Sequence, residues 1–152
     1  CPTQAIVEPY MLDARKCIAY LTIEYKGIIA EDLRRPIGNR VFGCDDCQLI
    51  CPWNSFAKVT PIEDFQPRHG LDRLSLLELW QWDETTFLAH TEGSPLRRTG
   101  YQSFMRNITI GLGNAPFNPE IVAALQAKRE QHDEIVQVHI DWALQEQAQK
   151  GA

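Results

Sequence analysis

The second half of the chain has the spacing of apolar residues that amphipathic helices show. From Leu71 onward, apolar side chains recur every three or four residues with polar side chains between them. Helix-capping residues accompany this pattern at several of the expected starts. The pattern predicts five short helices, with Phe87 and Leu88 on the core side of the second. The helices are expected at about 74–80, at 84–91 after Asp83, from near Pro95 to about 112, at 119–128 after Asn118, and after Asp133.

The first half of the chain predicts shorter and less regular elements. Residues 5–7 have the apolar character of a short strand, and Asp13 is placed to cap a helix over 14–24. That helix would hold Cys17 in its first turn, where free N–H groups stabilise a thiolate. Residues 26–40 are expected to form a polar connection, and residues 60–70 a polar linker.

The five cysteines form the most specific pattern in the chain. Cys44, Cys47 and Cys51 make C-x2-C-x3-C-P, and a second Cys-Pro pair stands at Cys1. In bacterial ferredoxins with two clusters, the run C-x2-C-x2-C-x3-C-P gives three thiolates to one cluster and its last Cys to the other. If Cys17 is the separated first member of the second run, this rule assigns Cys1, Cys17, Cys44 and Cys47 to one [4Fe–4S] cluster. Cys51 then serves the other cluster, whose remaining ligands would precede residue 1.

Two other uses of these cysteines fit the pattern less well. An odd number of cysteines and no visible signal segment argue against disulfide bonds. A zinc site made of four cysteines usually has two close C-x2-C pairs, whereas Cys1 and Cys17 stand alone. A structural metal site in these four cysteines remains an alternative that metal analysis can separate from iron–sulfur.

The fold expected from these patterns is mainly α and has two parts. Residues 1–59 are expected to form part of a ferredoxin-like module for two [4Fe–4S] clusters, truncated at its N-terminal side. After the linker at 60–70, residues 71–152 are expected to form a short α-helical region of the HEAT-like type, because helix pairs of this size are joined by short loops.

Charge is distributed unevenly along a chain whose net charge is −5. Residues 93–119 contain no Asp or Glu but hold Arg97, Arg98 and Arg106. A local basic surface on an acidic protein is a better indication of a nucleic-acid partner than the overall charge. No apolar run approaches the roughly 18–20 residues of a membrane span, and thiolate-bound clusters fit a reducing cytoplasm.

Longer stretches around the cysteines give a more specific indication. The chain resembles the C-terminal part of the epoxyqueuosine reductases along nearly its whole length. The stretches that carry the resemblance are Leu12–Glu24, Gly38–Asn54, Gly93–Arg98, Arg106-Asn107 and Gly111–Asn114.

The resemblance implies an enzyme that reduces the epoxide of epoxyqueuosine in tRNA to give queuosine, using cobalamin and two [4Fe–4S] clusters. It implies that Cys1, Cys17, Cys44 and Cys47 bind one cluster and that Cys51 binds the other. The cobalamin domain and the general acid would lie outside this chain, which is therefore expected to be inactive alone. Arg97, Arg98 and Arg106 are the expected tRNA contacts. A cellular electron donor and a monomeric full-length protein complete the expectation.

Two further functions stay open at this point. A cobalamin and iron–sulfur reductive dehalogenase has a similar set of cofactors, although the helical tail and cytoplasmic character argue against it. A helical-repeat interaction protein with a structural four-cysteine metal site belongs to a different class.

Overall fold

A computed structural model describes residues 1–152. The chain opens with a small antiparallel hairpin of β1 (Ile6–Glu8) and β2 (Met11–Leu12), in which Ile6 pairs with Leu12 and Glu8 with Met11. A 3-10 turn over Ala14–Lys16 follows, and then a π-helical turn over Tyr20–Glu24. Two short helices, α1 (Glu31–Ile37) and α2 (Asp46–Leu49), complete the first part.

Five helices make up the second part of the chain. They are α3 (Leu76–Trp80), α4 (Glu84–His90), α5 (Tyr101–Asn114), α6 (Pro119–Lys128) and α7 (Glu134–Gly151). Short 3-10 turns lie between the elements, at Pro52–Phe56, Glu63–Phe65, Pro95–Thr99 and Arg129–Gln131.

Polar side chains cap the N-terminal ends of four of these helices. Three of the four caps were predicted from the sequence. Asp83 accepts a hydrogen bond from the Thr86 N–H, Asn118 from the Glu120 N–H, and Asp133 from the Val136 N–H. Helix α3 begins at a capping box of Ser75 and Glu78, which sequence reasoning did not identify. These side chains satisfy N–H groups that have no partner inside the helix.

Helix α5 lies at the centre of the molecule. Every residue from Ser103 to Gly113 is buried, and α7 packs along one side of the helix. Gly113 makes this close approach possible, since a Cβ at this position would lie 3.0 Å from the backbone of Ala143. The core around α5 also contains Ile18, Leu21, Ile29 and Ile37 from the first part. The two parts therefore share one hydrophobic core.

Two predicted helices and one predicted core residue differ from the structure. The helix expected over 14–24 is interrupted at Cys17, whose ψ of 122° is extended. The helix expected from Pro95 to about 112 is divided at Gly100, where a φ of 73° ends a 3-10 turn before α5 begins. Leu88 is 39% exposed and lies outside the core, whereas Phe87 is buried.

The connection expected over 26–40 was also wrong, because it contains α1. The buried residues of this segment are Ile29, Arg34 and Ile37. Because one of the three is an arginine, the apolar residues do not recur with a clear helical spacing. Pro36 lies in the last turn of α1, which made a helix harder to predict. The division at 60–70 and the HEAT-like arrangement stay predictions. None of the helices combines the length and the apolar character that crossing a membrane requires.

His139 on α7 joins the two parts through its imidazole ring. The ring is fully buried, its Nδ1 lies 2.7 Å from the Ile135 carbonyl, and its Nε2 accepts a hydrogen bond from the Ile29 N–H at 3.2 Å. This arrangement requires the neutral tautomer with the proton on Nδ1. Burial lowers the pKa of His139 to about 4, and the neighbouring Arg34 and Arg106 act in the same direction.

We predict that His139 stays neutral in the folded protein down to about pH 5. The unfolded chain binds this proton first, since its histidine has a pKa of about 6.5. The stability that depends on neutral His139 is therefore complete above about pH 6.5 and is lost as the pH falls towards about 4. Imidazole ¹⁵N chemical shifts measure the pKa directly, and His139→Gln identifies the signal. A folded-state pKa near 6.5 would contradict this assignment.

Candidate metal centre

Four of the five cysteines line one cavity. The cavity has a volume of about 310 Å³, and Cys1, Cys17, Cys44 and Cys47 all contribute to its wall. The rest of the wall is mostly apolar and comes from the hairpin and the segment that follows it. All five cysteine thiols are free. The structure therefore brings together the four residues that the cysteine pattern assigns to one cluster.

Local backbone structure places the first two of these thiols. The Ala5 N–H donates a hydrogen bond to Cys1 Sγ at 3.3 Å, and the Thr3 hydroxyl lies 3.6 Å from the same sulfur. Cys17 stands at the break between the two helical turns, and its carbonyl accepts the Leu21 N–H at 2.9 Å. The break directs the chain so that Cys17 borders the cavity instead of lying within a continuous helix.

The buried Thr22 joins the Cys17 segment to the loop that carries Cys44. Its hydroxyl donates to the Ile18 carbonyl at 2.7 Å and accepts the Gly43 N–H at 2.9 Å. Gly43 has a φ of 73°, a conformation that favours glycine, and the chain turns there into Cys44. One hydroxyl thus holds two ligand-bearing segments in register.

Two neighbouring side chains on α5 extend this connection into the helical part. The Asn107 side-chain amide donates to the carbonyls of Thr22 and Val41, both at 2.8 Å. The Arg106 guanidinium donates to the carbonyls of Leu21, Tyr25 and Gly27 at 2.7–2.9 Å. Together they bind the backbone that follows Cys17 and the backbone that precedes Cys44.

Cys51 is the one cysteine that does not line the four-cysteine cavity, and it shares its own surroundings only with Cys47. It borders an open depression whose wall includes Trp53 and Phe56, and it does not line the four-cysteine cavity. Trp53 is 78% exposed, and Leu49 and Ile50 nearby are also exposed. An exposed apolar surface therefore surrounds the fifth thiol.

The donor set of the cavity fits an iron–sulfur cluster. Thiolates are the ligands that such clusters use, and four of them border one largely apolar space. No three His, Cys, Asp or Glu side chains are placed to hold a single metal ion. The thiols border a cavity and do not converge on one point.

Known proteins are similar in sequence both to the cysteine-bearing segment and to nearly the whole chain. Residues 1–54 match the family model of the 4Fe-4S double cluster binding domain. An epoxyqueuosine reductase of Xanthomonas campestris is 58% identical over 144 residues, covering 95% of this chain and 41% of the relative. That of Pseudomonas aeruginosa is 60% identical over 95% of this chain and 40% of the relative. The chain is homologous to the epoxyqueuosine reductases.

The chain spans about 40% of the length of these epoxyqueuosine reductases. Among solved structures, the epoxyqueuosine reductase of Streptococcus thermophilus has a TM-score of 0.85 at 24% identity, over 99% of this chain and 39% of that one. An epoxyqueuosine reductase crystallised with an epoxyqueuosine-modified tRNA-Tyr stem loop has a TM-score of 0.73 at 23% identity, over 97% of this chain and 48% of that one. These likenesses show that the fold is shared.

The three arginines expected to contact tRNA differ in their surroundings. Arg106 is fully buried, and its N–H groups are engaged by backbone carbonyls and by Asn107. The prediction that Arg106 contacts tRNA was therefore wrong, because no phosphate can reach its guanidinium. Arg98 is exposed and forms an ion pair with Glu24 at 2.9 Å. Arg97 is exposed, and its side chain forms no hydrogen bond or ion pair.

Sequence reasoning did not identify the residues that position the ligand loops. Thr22, Arg40 and Asn107 have no ligand spacing. Their partners are backbone groups and, for Arg40, also the nearby Asp46 carboxylate. The pair Arg106-Asn107 was one of the stretches on which the resemblance depends, and this was the signal available. Its role became clear only when the carbonyls around it were located.

We predict that Asn107→Ala lowers the free energy of unfolding by about 2–4 kcal/mol, because two interior carbonyls lose the Asn107 donor and Arg106 loses an acceptor. Urea unfolding followed by circular dichroism measures the change. Asn118→Ala is the matched control, since it removes an exposed helix cap worth about 1 kcal/mol. A loss for Asn107→Ala no larger than that of the control would contradict the proposed link between α5 and the ligand loops.

Proposed function

We propose that this chain is the electron-relay and tRNA-docking part of a cobalamin-dependent epoxyqueuosine reductase, which converts epoxyqueuosine to queuosine in tRNA. The observation that carries the proposal is the cavity bordered by Cys1, Cys17, Cys44 and Cys47. The match of residues 1–54 to a double-cluster domain and the homology to epoxyqueuosine reductases support it.

In this proposal the four cavity cysteines bind one [4Fe–4S] cluster and Cys51 contributes one ligand to another. The absence of Cys51 from the wall of the four-cysteine cavity supports the division. The clusters supply one-electron chemistry when bound, and the protein sets their potentials through burial and through hydrogen bonds to sulfur. The Ala5 N–H that donates to Cys1 Sγ is one such hydrogen bond.

In this proposal the chain alone cannot carry out the complete reaction. Cobalamin would be held mainly by parts of the longer protein, of which this chain spans about 40% in the relatives. The exposed apolar residues around Cys51 support an interface with those parts. The complete protein would take electrons from a cellular donor, act in the cytoplasm and be a monomer.

Arg97 and Arg98 are the residues we propose as contacts to tRNA phosphates. They lie in the 3-10 turn just before α5, and residues 93–119 contain no acidic side chain. Glu24 pairs with Arg98, so the contribution of Arg98 depends on exchanging this exposed ion pair for a phosphate. The solved neighbour in complex with a tRNA stem loop supports a tRNA partner for the present chain.

We predict that the anaerobically reconstituted chain contains about four iron and four sulfide per chain, the content of one [4Fe–4S] cluster. Reduction is expected to give an EPR signal that persists in Cys51→Ser and is lost in Cys47→Ser. Cys51 is the matched control because it belongs to the same motif but does not line the four-cysteine cavity. Zinc without labile sulfide would contradict the proposal and favour a structural metal site in a helical-repeat protein.

We also predict that Arg97→Ala weakens binding of the complete protein to its tRNA about three- to tenfold. Loss of one phosphate contact also reduces the slope of log K against log salt by up to about one unit. Fluorescence anisotropy at several salt concentrations measures both quantities. Arg73→Ala is the control, since Arg73 is also exposed but is paired with its neighbour Asp72. Unchanged affinity and unchanged salt slope would remove Arg97 from the tRNA surface.

A further inference from the structure

Asp46 is the only charged side chain that lines the four-cysteine cavity. It stands between Cys44 and Cys47 in sequence and begins the short helix α2. A carboxylate at this position places a negative charge beside a site built for thiolates. Reduction of a cluster there adds a further negative charge, so an uncompensated Asp46 would make reduction less favourable.

Arg40 provides the compensating charge. Its Nη2 donates to both carboxylate oxygens of Asp46, at 2.9 and 2.8 Å, and its Nη1 donates to the Ile37 carbonyl at 3.0 Å. Both side chains are 30% exposed, so water screens the pair only in part.

The same contacts fix the position of the carboxylate. The Ile37 carbonyl lies at the C-terminal end of α1, and Asn114 on α5 supports this region by donating to the carbonyls of Arg34 and Gly38. Arg40 thereby connects the ligand loop to the helical core through α1. The two charges are held together by this frame and cannot separate freely.

We propose that Arg40 is a positioning residue that compensates the charge of Asp46 and so raises the reduction potential of a cluster held by Cys1, Cys17, Cys44 and Cys47. The inference rests on the proposed function for the presence of that cluster. It adds a role for two residues outside the ligand set. The effect on the reduction potential requires only that the charges of Arg40 and Asp46 act over the short distance to the cavity that Asp46 borders.

Potentiometric titration of the reconstituted 152-residue chain at pH 8, followed by EPR, tests this role. Arg40→Gln leaves Asp46 uncompensated and is expected to lower the equilibrium constant for reduction about tenfold, which is about 59 mV for a one-electron couple. Asp46→Asn is expected to raise it by a similar factor. The double variant is expected to lie between the two single variants. Arg40→Lys keeps the charge and is expected to change the constant less than Arg40→Gln.

Arg129→Gln is the matched control variant. Arg129 forms a comparable ion pair with Asp141, at 2.7 and 2.9 Å, in the helical part of the chain and away from the cavity wall. Its substitution is expected to leave the midpoint potential unchanged. Equal shifts in Arg129→Gln and Arg40→Gln would show a general charge effect and overturn the inference.

The remaining outcomes separate a failure of the proposed function from a failure of the role proposed for Arg40. If the parent chain assembles no cluster, the proposed function fails before the role of Arg40 is reached. If clusters assemble and neither Arg40→Gln nor Asp46→Asn changes the midpoint potential, the inference is overturned while the proposed function stands. If Arg40→Gln does not fold, Asp46→Asn alone decides, because it keeps the shape of the carboxylate and removes its charge.

Discussion

The structure depends on a buried cation and an adjacent amide that hold the backbone of two ligand-bearing segments. Arg106 donates to three carbonyls on either side of the bend that follows the π-helical turn, and Asn107 joins Thr22 to Val41. Burial lowers the pKa of Arg106 to about 10, which still leaves it charged at neutral pH. A buried charge is tolerated when hydrogen bonds satisfy it, and removal of such partners commonly costs about 3–5 kcal/mol.

This connection explains why the cysteine segments need the helical part. The Cys17 turn and the Cys44 loop contain little regular structure, although Ile18 and Leu21 after Cys17 enter the core. Helix α5 supplies the missing hydrogen bonds through Arg106, Asn107 and Asn114, while α7 supports α5 from the other side. The helical region thus fixes the position of the segments that carry the cavity cysteines.

The sequence allowed much of the helical part to be predicted, and it grouped the four cysteines that line one cavity. Caps such as Asn118 and Asp133 define helices by local hydrogen bonds, which act over a few residues and can be read from spacing. The cysteine motif is also defined by spacing along the sequence, and it indicated the four thiols that line the cavity. Cys17 lines that cavity with the other three, although the helix expected around it is broken at that residue.

The missed features depend on partners that are distant along the chain. Arg106 was predicted to meet tRNA because arginine in an acid-free stretch suggests phosphate, but its partners lie about 80 residues earlier. Helix α1 was missed because Arg34 fills a core position with its stem and stacks on Trp142, which apolar spacing does not reveal. In both cases a charged residue does the packing and hydrogen bonding of the interior, and only the fold shows it.

The central claim is that Cys1, Cys17, Cys44 and Cys47 hold one cluster while Cys51 serves another. An iron anomalous difference map from crystals of the anaerobically reconstituted chain tests this most directly. The account predicts one iron-rich peak in the cavity, bonded to the sulfurs of those four cysteines, with Cys51 unbound. A peak bonded to Cys44, Cys47 and Cys51 together would contradict it.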